Sequence, residues 1–321
     1  MSLLASIIIP CHNNQRFVKL AIMSALAQTY PHSEIIVIDD GSTDDSLAMV
    51  KSFGDRVTWE SGPNQGAPVA RNRGLVIAKG EYVKFLDADD VLLPDCLTRQ
   101  VAQARELPQN SKAIVYGDAL WIDQAGQPLS GYPVRPRRPD EEAVAHILTQ
   151  SPLTSCPLHR RDYLLEIGGF DTSLPRGQEF DLHLRLVLAG VEFIHQPGPV
   201  YQYRDYQAGQ RLSQQGYSRK GPLAYFQILQ KQQHHIETQT GRPLTPAVRQ
   251  IMARRFWTYG RGVLRDGFPA EAMRYFEAAR QLDPRHCIVG NAPYPTLVKL
   301  LGPNKAETVA RKLQALVGRA A

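Results

Sequence analysis

Residues 85–90 read Phe85-Leu86-Asp87-Ala88-Asp89-Asp90, and this stretch indicates the fold more directly than any other. It continues the apolar run that begins at Tyr82, so its three carboxylates stand at the end of a predicted buried strand. Ligand sites of open α/β sheets lie beyond the carboxyl ends of parallel strands. An Asp-x-Asp pair there suits Mg²⁺ or Mn²⁺ beside a diphosphate. On these residues alone, an acidic turn in which Asp90 caps a helix starting near Pro94 remains an equal alternative.

Outward from this stretch, the N-terminal half alternates short apolar runs with helical segments. A capping-box spacing, Ser42-x-x-Asp45, marks the start of one helix. Apolar runs that are continuous and separated by helices predict a Rossmann-like α/β fold, with a mostly parallel central sheet flanked by helices. The predicted strands are 6–9, 34–38, 56–60 and 82–86, and the predicted helices are 14–28, 44–53 and 67–78.

After residue 94 the pattern changes, with a strand predicted at 113–116 and a hairpin around 123–127. Residues 130–140 are rich in Pro, Arg and Gly and predict a surface loop. From about residue 218 the chain is predicted to be helical. We therefore expect one domain over residues 1–217, made of a half at 1–93 and a half at 94–217, and a helical C-terminal region at 218–321.

The composition is that of an ordinary soluble globular protein, with 43% hydrophobic and 21% charged residues in a chain of 321. No apolar run approaches the roughly 18 residues that span a bilayer, and no signal peptide precedes the first strand, so a cytoplasmic location is expected. The cysteines are far apart in the sequence, which favours reduced thiols over disulfides or a zinc site. They are Cys11, Cys96, Cys156 and Cys287.

The net charge of +6 is a mild basic surplus that lies largely in the last hundred residues and in the loop at 135–138. Such a surplus suits phosphorylated ligands, or peripheral contact with the inner face of a membrane, and the favoured alternative is an ordinary solvated basic surface without a specific partner. Nucleic acid is not an expected partner, because no aromatic-interleaved basic patch and no helix-turn-helix pattern is present.

Four motifs follow one another along the chain: Ser6 to Asn13, Val37 to Asp44, Gly66 to Gly74, and Phe85 to Asp90. Together they resemble the family 2 glycosyltransferases, which are inverting enzymes of the GT-A fold that use nucleotide-sugar donors. The resemblance continues through 154–156, 168–171 and 177–182 and covers about residues 4–215. It implies that residues 1–217 form the catalytic domain, with a nucleotide-binding half followed by an acceptor-binding half.

The resemblance implies that the nucleobase lies beside Pro10, His12 and Asn13 and against Asp39. A carboxylate at the end of the second strand can accept a hydrogen bond from N3–H of uracil, which favours uracil or thymine over guanine or cytosine. The structural alternative is that Asp39 and Asp40 only form the turn before the following glycine.

The resemblance also implies that Asp87 binds the ribose and that Asp89 reaches the metal and the diphosphate. Arg71 follows on the third helix, where its guanidinium suits contacts with the base, the ribose or the diphosphate. A surface ion pair with an acidic neighbour is the alternative for Arg71.

In an inverting transfer, a carboxylate removes the proton of the acceptor hydroxyl on the face opposite the departing diphosphate. The family pattern Glu-Asp-x-Asp places this base at Glu179, with Asp181 as the second candidate. If the segment is helical, Asp181 points away from Glu179, so we favour Glu179. The chain departs from the pattern, because Gln178-Glu179 replaces Glu-Asp. A helix start stabilised by acidic residues is the structural alternative.

Many relatives have a metal-binding histidine downstream, where this chain reads Tyr203-Arg204-Asp205. Either Asp205 supplies an oxygen ligand instead, or water does. The expected cofactor is Mn²⁺ or Mg²⁺.

Two hypotheses follow. The first is a metal-assisted inverting glycosyltransferase that moves a sugar from a UDP-sugar to a hydroxyl of a glycan or lipid-linked acceptor, in cell-surface polysaccharide or glycolipid synthesis. The second is a catalytically inactive scaffold or sensor that binds a nucleotide-sugar, in which the altered Gln178-Glu179 and the missing histidine abolish turnover.

Overall fold

The structure, a computed structural model, describes residues 3–108, 111–131, 134–174, 176–205, 216–218 and 220–317. Its contacts divide the chain into two compact units, residues 1–207 and 208–321. The predicted domain boundary after residue 217 stays a prediction. No helix among the described residues combines the length and the apolar character that crossing a membrane requires.

The first unit is a sheet with helices on both of its faces. Its strands in the described part of the chain are β1 (Ala5–Cys11), β2 (Ser33–Asp40), β3 (Thr58–Gly62), β4 (Tyr82–Phe85), β5 (Val91–Leu92), β6 (Ala113–Ile122), β7 (Pro157–Arg160) and β8 (Glu192–Arg204). Its helices there are α1 (Val18–Leu26), α2 (Ser46–Lys51), α3 (Ala67–Ile77), α4 (Cys96–Glu106), α5 (Ala143–Gln150), α6 (Arg161–Glu166) and α7 (Gln178–Leu188).

The strands run in the order β3-β2-β1-β4-β7-β6-β8-β5. The pairs among β1 to β4 are parallel, with Ile8 aligned to Ile36 and to Phe85. β7 pairs antiparallel with β4 and β6, β6 pairs parallel with β8, and β5 pairs antiparallel with β8. The predicted mostly parallel sheet flanked by helices is therefore confirmed for the first half, and an antiparallel β7 joins it to the second half.

Burial on both faces explains the continuous apolar runs. Ile7 and Ile9 pack with residues of α1, α2 and α4, whereas Ile8 packs with residues of α3, α6 and α7. Since successive side chains of a strand point to opposite faces, a strand covered on both sides must be apolar at every position.

The alternative in which Asp90 only caps a helix is excluded, because β5 follows Asp90 and its Oδ1 accepts a hydrogen bond from the backbone N–H of Arg204 at 2.9 Å. The capping box is absent as well: the hydroxyl of Ser42 accepts from Asn13 N–H at 3.0 Å, and Asp44 accepts from Ser46 N–H at 2.9 Å.

The predicted loop at 130–140, described here without residues 132 and 133, is held by ion pairs. Arg135 and Arg137 lie against Glu141 and Glu192, respectively. The hydrogen bond from Arg135 lowers the pKa of the Glu141 carboxyl to about 2. Two of the loop's cations are therefore already neutralised within the protein.

The described part of the second unit is helical, as expected. Its helices are α8 (Ala224–Thr240), α9 (Pro246–Arg265), α10 (Pro269–Leu282) and α11 (Tyr294–Val317). The side chain of Thr245 caps α9 by accepting from Val248 N–H at 3.3 Å. α11 is kinked at Gly302, whose φ of 76° is a left-handed value that favours glycine.

Candidate functional site

Asp39, the predicted nucleobase contact, is buried near the carboxyl end of β2. Its Oδ1 accepts from Ser42 N–H at 3.3 Å, and its Oδ2 accepts from the Ser61 hydroxyl at 2.6 Å. These two bonds fix the plane of the carboxylate. Each carboxylate oxygen can accept a further hydrogen bond, so the group remains chemically able to receive a ring N–H.

The neighbouring Asp40 has a structural role. Its two oxygens accept from the backbone N–H groups of Gln65 and Gly66, each at 2.8 Å, immediately before α3. Gly41 follows with φ of 71°, and a Cβ there would lie 2.6 Å from the backbone nitrogen of Asn64. The turn after β2 therefore requires glycine, and Asp40 holds the start of α3 beside it.

His12 and Asn13, which were predicted to lie beside the nucleobase, form an exposed rim next to Asp39. His12 donates from Nδ1 to the carbonyl of Asp40 at 2.8 Å, which leaves its Nε2 to accept from the amide of Asn64 at 3.0 Å. Asn13 has φ of 47°, and its Oδ1 accepts from Thr43 N–H at 2.7 Å. The loops after β1 and β2 are thus joined to each other.

Pro10 is half-buried near the end of β1, where the next residue, Cys11, is aligned with Asp39 of β2. Parallel pairing therefore places Pro10, His12 and Asn13 at the same sheet edge as Asp39.

Arg71 lies inside the site rather than at the surface. It projects from α3, is 7% exposed, and donates from Nη2 to Asp87 Oδ1 at 2.6 Å. Its Nη1 lies 3.4 Å from Gln178 Oε1, and its guanidinium lies over the ring of Phe170 at 5.2 Å. Arg71 therefore connects the end of β4 with the start of α7. Its ion-pair partner, Asp87, is the residue predicted to bind the ribose.

Asn72, the next residue, fixes the loop that carries Phe170. Its amide nitrogen donates to the carbonyl of Phe170, and its Oδ1 accepts from the N–H of the same residue, both at 2.8 Å. A Cβ on Gly169, whose φ is 68°, would lie 2.5 Å from that Oδ1. This close approach explains the glycine before Phe170.

Glu179 is half-buried in the first turn of α7. Burial raises the pKa of its carboxyl, and the negative charge of Asp87 adds to this, while a backbone hydrogen bond and the charge of Arg71 oppose it. A carboxylate with a raised pKa binds a proton more readily than an ordinary glutamate, which is a property that a general base needs.

Asp181 faces a different environment. It is 1% exposed and accepts from Arg185 Nε at 2.7 Å, one turn later on the same helix. Arg185 also donates to the carbonyl of Ile167 at 2.8 Å. The ion pair with Arg185 thus holds Asp181 within α7. Glu179, not Asp181, lies close enough to feel the charges of Arg71 and Asp87.

Asp87, Asp89 and Asp90 form the group of carboxylates in the described chain that could hold a cation, with oxygens within 4.8 Å of one another. Asp90 is tied to the backbone of Arg204, whose Nε also donates to the carbonyl of Asp89 at 3.1 Å. A set of carboxylate oxygens suits Mg²⁺ or Mn²⁺. The residues present therefore fit the expected cofactor.

Asp205, the predicted alternative ligand, follows Arg204 at the end of β8. Its N–H donates to the carbonyl of Ile122 at 2.7 Å. It is not one of the three carboxylates that lie within 4.8 Å of one another.

Four side chains of the site were not predicted as site residues from the sequence: Ser61, Asn64, Phe170 and Gln178. Ser61 and Asn64 lie at or just after the end of β3, which was predicted two residues too early. Phe170 and Gln178 belong to motifs that the sequence does contain. Their contacts with Arg71, however, join residues about a hundred positions apart, such as Gln178 at a separation of 107.

Comparison with known proteins finds similarity to the same family. Residues 6–149 match the model of glycosyl transferase family 2. An uncharacterized glycosyltransferase of Rickettsia felis is 35% identical over 194 residues, covering 57% of this chain and 31% of the relative. One of Rickettsia typhi is 35% identical over 199 residues, covering 60% of this chain and 62% of the relative. The chain thus matches less than two thirds of the length of these relatives.

Among solved structures, S. aureus TarS 1–349 in complex with UDP-GlcNAc has a TM-score of 0.66 and 19% identity. The alignment covers 98% of this chain and 92% of that one. TarS 1–349 in complex with UDP gives a TM-score of 0.66 at 18% identity, with the same coverage of both chains. The fold of this chain is therefore that of TarS.

Proposed function

The chain carries a family 2 glycosyltransferase domain, and from the contacts at its strand ends we propose that it is an inverting glycosyltransferase with a UDP-sugar donor. One observation carries this proposal: Arg71 joins Asp87, at the end of β4, to Gln178, beside the expected base Glu179. The expected donor contacts and the expected base thus share one cation, although they come from distant parts of the chain.

Uracil is the proposed nucleobase because the carboxylate of Asp39 lies at the expected nucleobase site. The fixed carboxylate of Asp39 is an acceptor, and N3 of uracil carries a hydrogen that it can receive. His12, Asn13 and Pro10 would border the ring, and Asp87 would bind the ribose. The UDP and UDP-GlcNAc complexes of the structurally similar TarS support a donor of this class.

Transfer would use Glu179 as the base. The acceptor oxygen forms a bond to the anomeric carbon as the bond from that carbon to the diphosphate oxygen breaks, and the electron pair leaves with UDP. Glu179 takes the hydroxyl proton. Its raised pKa gives it a higher affinity for this proton than an ordinary surface carboxylate has.

Asp89, with Asp87 and Asp90 beside it, would hold Mn²⁺ or Mg²⁺, and Asp205 is the further candidate ligand. When bound, the cation supplies positive charge against the diphosphate. From the protein itself, the guanidinium of Arg71 supplies charge at the same edge of the sheet.

The acceptor that we propose is a hydroxyl of a glycan or of a lipid-linked sugar, in the synthesis of cell-surface polysaccharide or glycolipid on the cytoplasmic side. This part of the proposal rests on the family resemblance and on the hydroxyl chemistry that Glu179 would serve.

Thermal unfolding with UDP, dTDP and GDP, each with and without Mn²⁺, tests the donor site. A ligand at a hundred times its Kd stabilises the folded state by about 2.7 kcal/mol, which shifts the melting temperature by several degrees. We expect the largest shift with UDP and Mn²⁺, and a loss of the preference for UDP in Asp39→Asn. The matched control is Asp55→Asn, an exposed carboxylate just before the amino end of β3, at the opposite end of the strand from the site.

Release of UDP from UDP-sugars with a hydroxyl acceptor then tests transfer. Nucleotide binding without release of UDP would favour the inactive sugar-nucleotide scaffold. No shift with any of the three nucleotides would contradict the proposed donor site.

A further inference from the structure

The basic surplus of the chain belongs to its second unit. Residues 208–321 contain 18 Lys and Arg against six Asp and Glu, whereas residues 1–207 contain 19 against 25. The first unit is therefore net acidic and the second strongly basic. A charge separation of this size points to an anionic partner of the second unit.

Within that unit, α11 presents cations without exposed acids. Lys299, Lys305, Arg311 and Lys312 are all exposed, and none of them lies within ion-pair distance of a described carboxylate. The one acidic residue between 294 and 313, Glu307, is buried and bound by Arg261 and Arg265. This contrasts with the basic loop of the first unit, whose Arg135 and Arg137 are neutralised by glutamates.

Leucines are exposed among these cations. Leu300 is 74% exposed and Leu301 is 44% exposed, directly before the kink at Gly302. Lys299 and Lys305 lie on either side of them in the chain. We call Lys299, Leu300, Leu301 and Lys305 the kink surface.

We propose that the kink surface binds a membrane that contains anionic lipids. Lysines attract the headgroups, and exposed leucines enter the boundary between headgroups and acyl chains, which is the combination that peripheral membrane segments use. A soluble anionic polymer would need the lysines but would gain nothing from the leucines. A second copy of the chain would place like charges against each other. This inference is independent of the proposed function.

Sedimentation with vesicles tests the proposal, using the full chain and vesicles of phosphatidylcholine with or without phosphatidylglycerol. We expect binding to the anionic vesicles only. Each lysine near the surface contributes about fivefold in binding, so Lys299→Gln with Lys305→Gln weakens it by about 25-fold. Leu300→Ser with Leu301→Ser weakens it by about tenfold or more.

Control variants test whether the effects are specific to the kink surface or would follow from removing any exposed charge or any exposed apolar side chain. Val76→Ser changes a side chain of the first unit that is 71% exposed, close to the value for Leu300. Arg242→Gln with Arg249→Gln removes two exposed charges of the second unit, one just before α9 and one near its start, far along the helix from Arg261, which binds Glu307 of α11. Both controls should bind vesicles as the unchanged protein does, and circular dichroism checks that each variant is folded.

Three results would overturn the proposal. Equal binding to both vesicle types, or to neither, would exclude an anionic lipid surface. Lysine-dependent binding that also occurs with soluble polyphosphate and is unaffected by the leucine changes would assign the surface to an anionic polymer. A dimer in solution that the leucine changes convert to a monomer would assign it to a second copy.

Discussion

The contacts of Arg71 determine which groups the site can use. This side chain is almost fully buried, and it pairs with Asp87, touches Gln178 and lies over Phe170. Gln178 stands where the family resemblance led us to expect an acid. The neutral amide accepts from Arg71 without adding charge, so less negative charge surrounds Glu179 than two adjacent acids would give.

Glu179→Gln is expected to lower the rate of transfer by about 100-fold or more, with donor binding unchanged, because the amide cannot take the acceptor proton. In the unchanged protein the rate should rise with pH through a pKa above the ordinary 4.5 of glutamate, since only the ionised carboxylate acts as base. The pH profile of kcat/KM measures both effects.

Glu106→Gln, at an exposed position near the end of α4, is the matched control and should keep full activity. Full turnover in Glu179→Gln would move the base to another residue. Asp181, which Arg185 holds in the packing of α7, would then have to change its contacts to take that role.

At the scale of elements, Asp40 connects the end of β2 to the start of α3. Asp40→Asn should lower the free energy of unfolding by about 1–3 kcal/mol, because the amide keeps only one accepting oxygen, and either Gln65 N–H or Gly66 N–H then faces a nitrogen that cannot accept. Urea unfolding measures this loss. Asp45→Asn changes an exposed carboxylate nearby and should have little effect; equal losses in the two variants would contradict the role of Asp40.

β7 and α7 meet through two buried histidines. His159 of β7 stacks on His183 of α7 at 5.7 Å and contacts the edge of Phe85. Among the described residues neither ring nitrogen of His159 has a hydrogen-bond partner, whereas His183 Nδ1 lies 2.9 Å from the hydroxyl of Ser151. Burial lowers the pKa of His183 to about 3, and burial, His183 and Lys84 lower that of His159 well below its usual value.

These histidines make the fold sensitive to acid. The unfolded chain takes up their protons below about pH 6.5 while the folded chain does not, so stability is full above that pH and falls as the pH drops below it. The loss is about 1.4 kcal/mol per histidine and pH unit. His159→Phe removes one of the two groups, and its melting temperature should fall less steeply between pH 6.5 and 4.5.

His234→Phe, at an exposed position of α8, should leave the acid dependence of melting unchanged. If His159→Phe and the unchanged protein lose stability in parallel as the pH falls, the buried pair is not the cause.

At the scale of the whole molecule, the two units have different tasks in the proposals above: the first binds the donor, and the second meets the membrane. Glu307 tests this division. It is buried in the second unit, accepts from Arg261 at 2.8 Å and also binds Arg265, and although burial opposes it, these bonds lower the pKa of its carboxyl.

Glu307→Gln should destabilise the second unit by about 1–3 kcal/mol, because two buried contacts with arginine lose their charge. The Kd for UDP, measured by calorimetry, should stay unchanged, since the expected donor contacts all belong to the first unit. Glu277→Gln, an exposed change on α10, is the control for stability. A large loss of UDP affinity in Glu307→Gln would show that the units are coupled.

The sequence by itself determined the sheet, its parallel first half and the edge at which the acidic residues meet. Each of these depends on local patterns: apolar runs of strand length, glycines at turns, and carboxylates directly after strands. The positions of Asp39 and Asp87 at one edge follow from such patterns and from the rule that parallel strands end together, whereas Glu179, in the first turn of α7, was expected only from the family resemblance.

Only the tertiary structure decided which polar groups pair. Arg71 meets Asp87 and Gln178, Asp90 binds the backbone of Arg204 at a separation of 114 residues, and Asp181 turns to Arg185. The alternative of a helix cap at Asp90 is excluded for this reason. Local preference gives every short polar side chain a plausible neighbour in sequence, but a buried polar group takes the partner that packing brings to it, and packing depends on the whole chain.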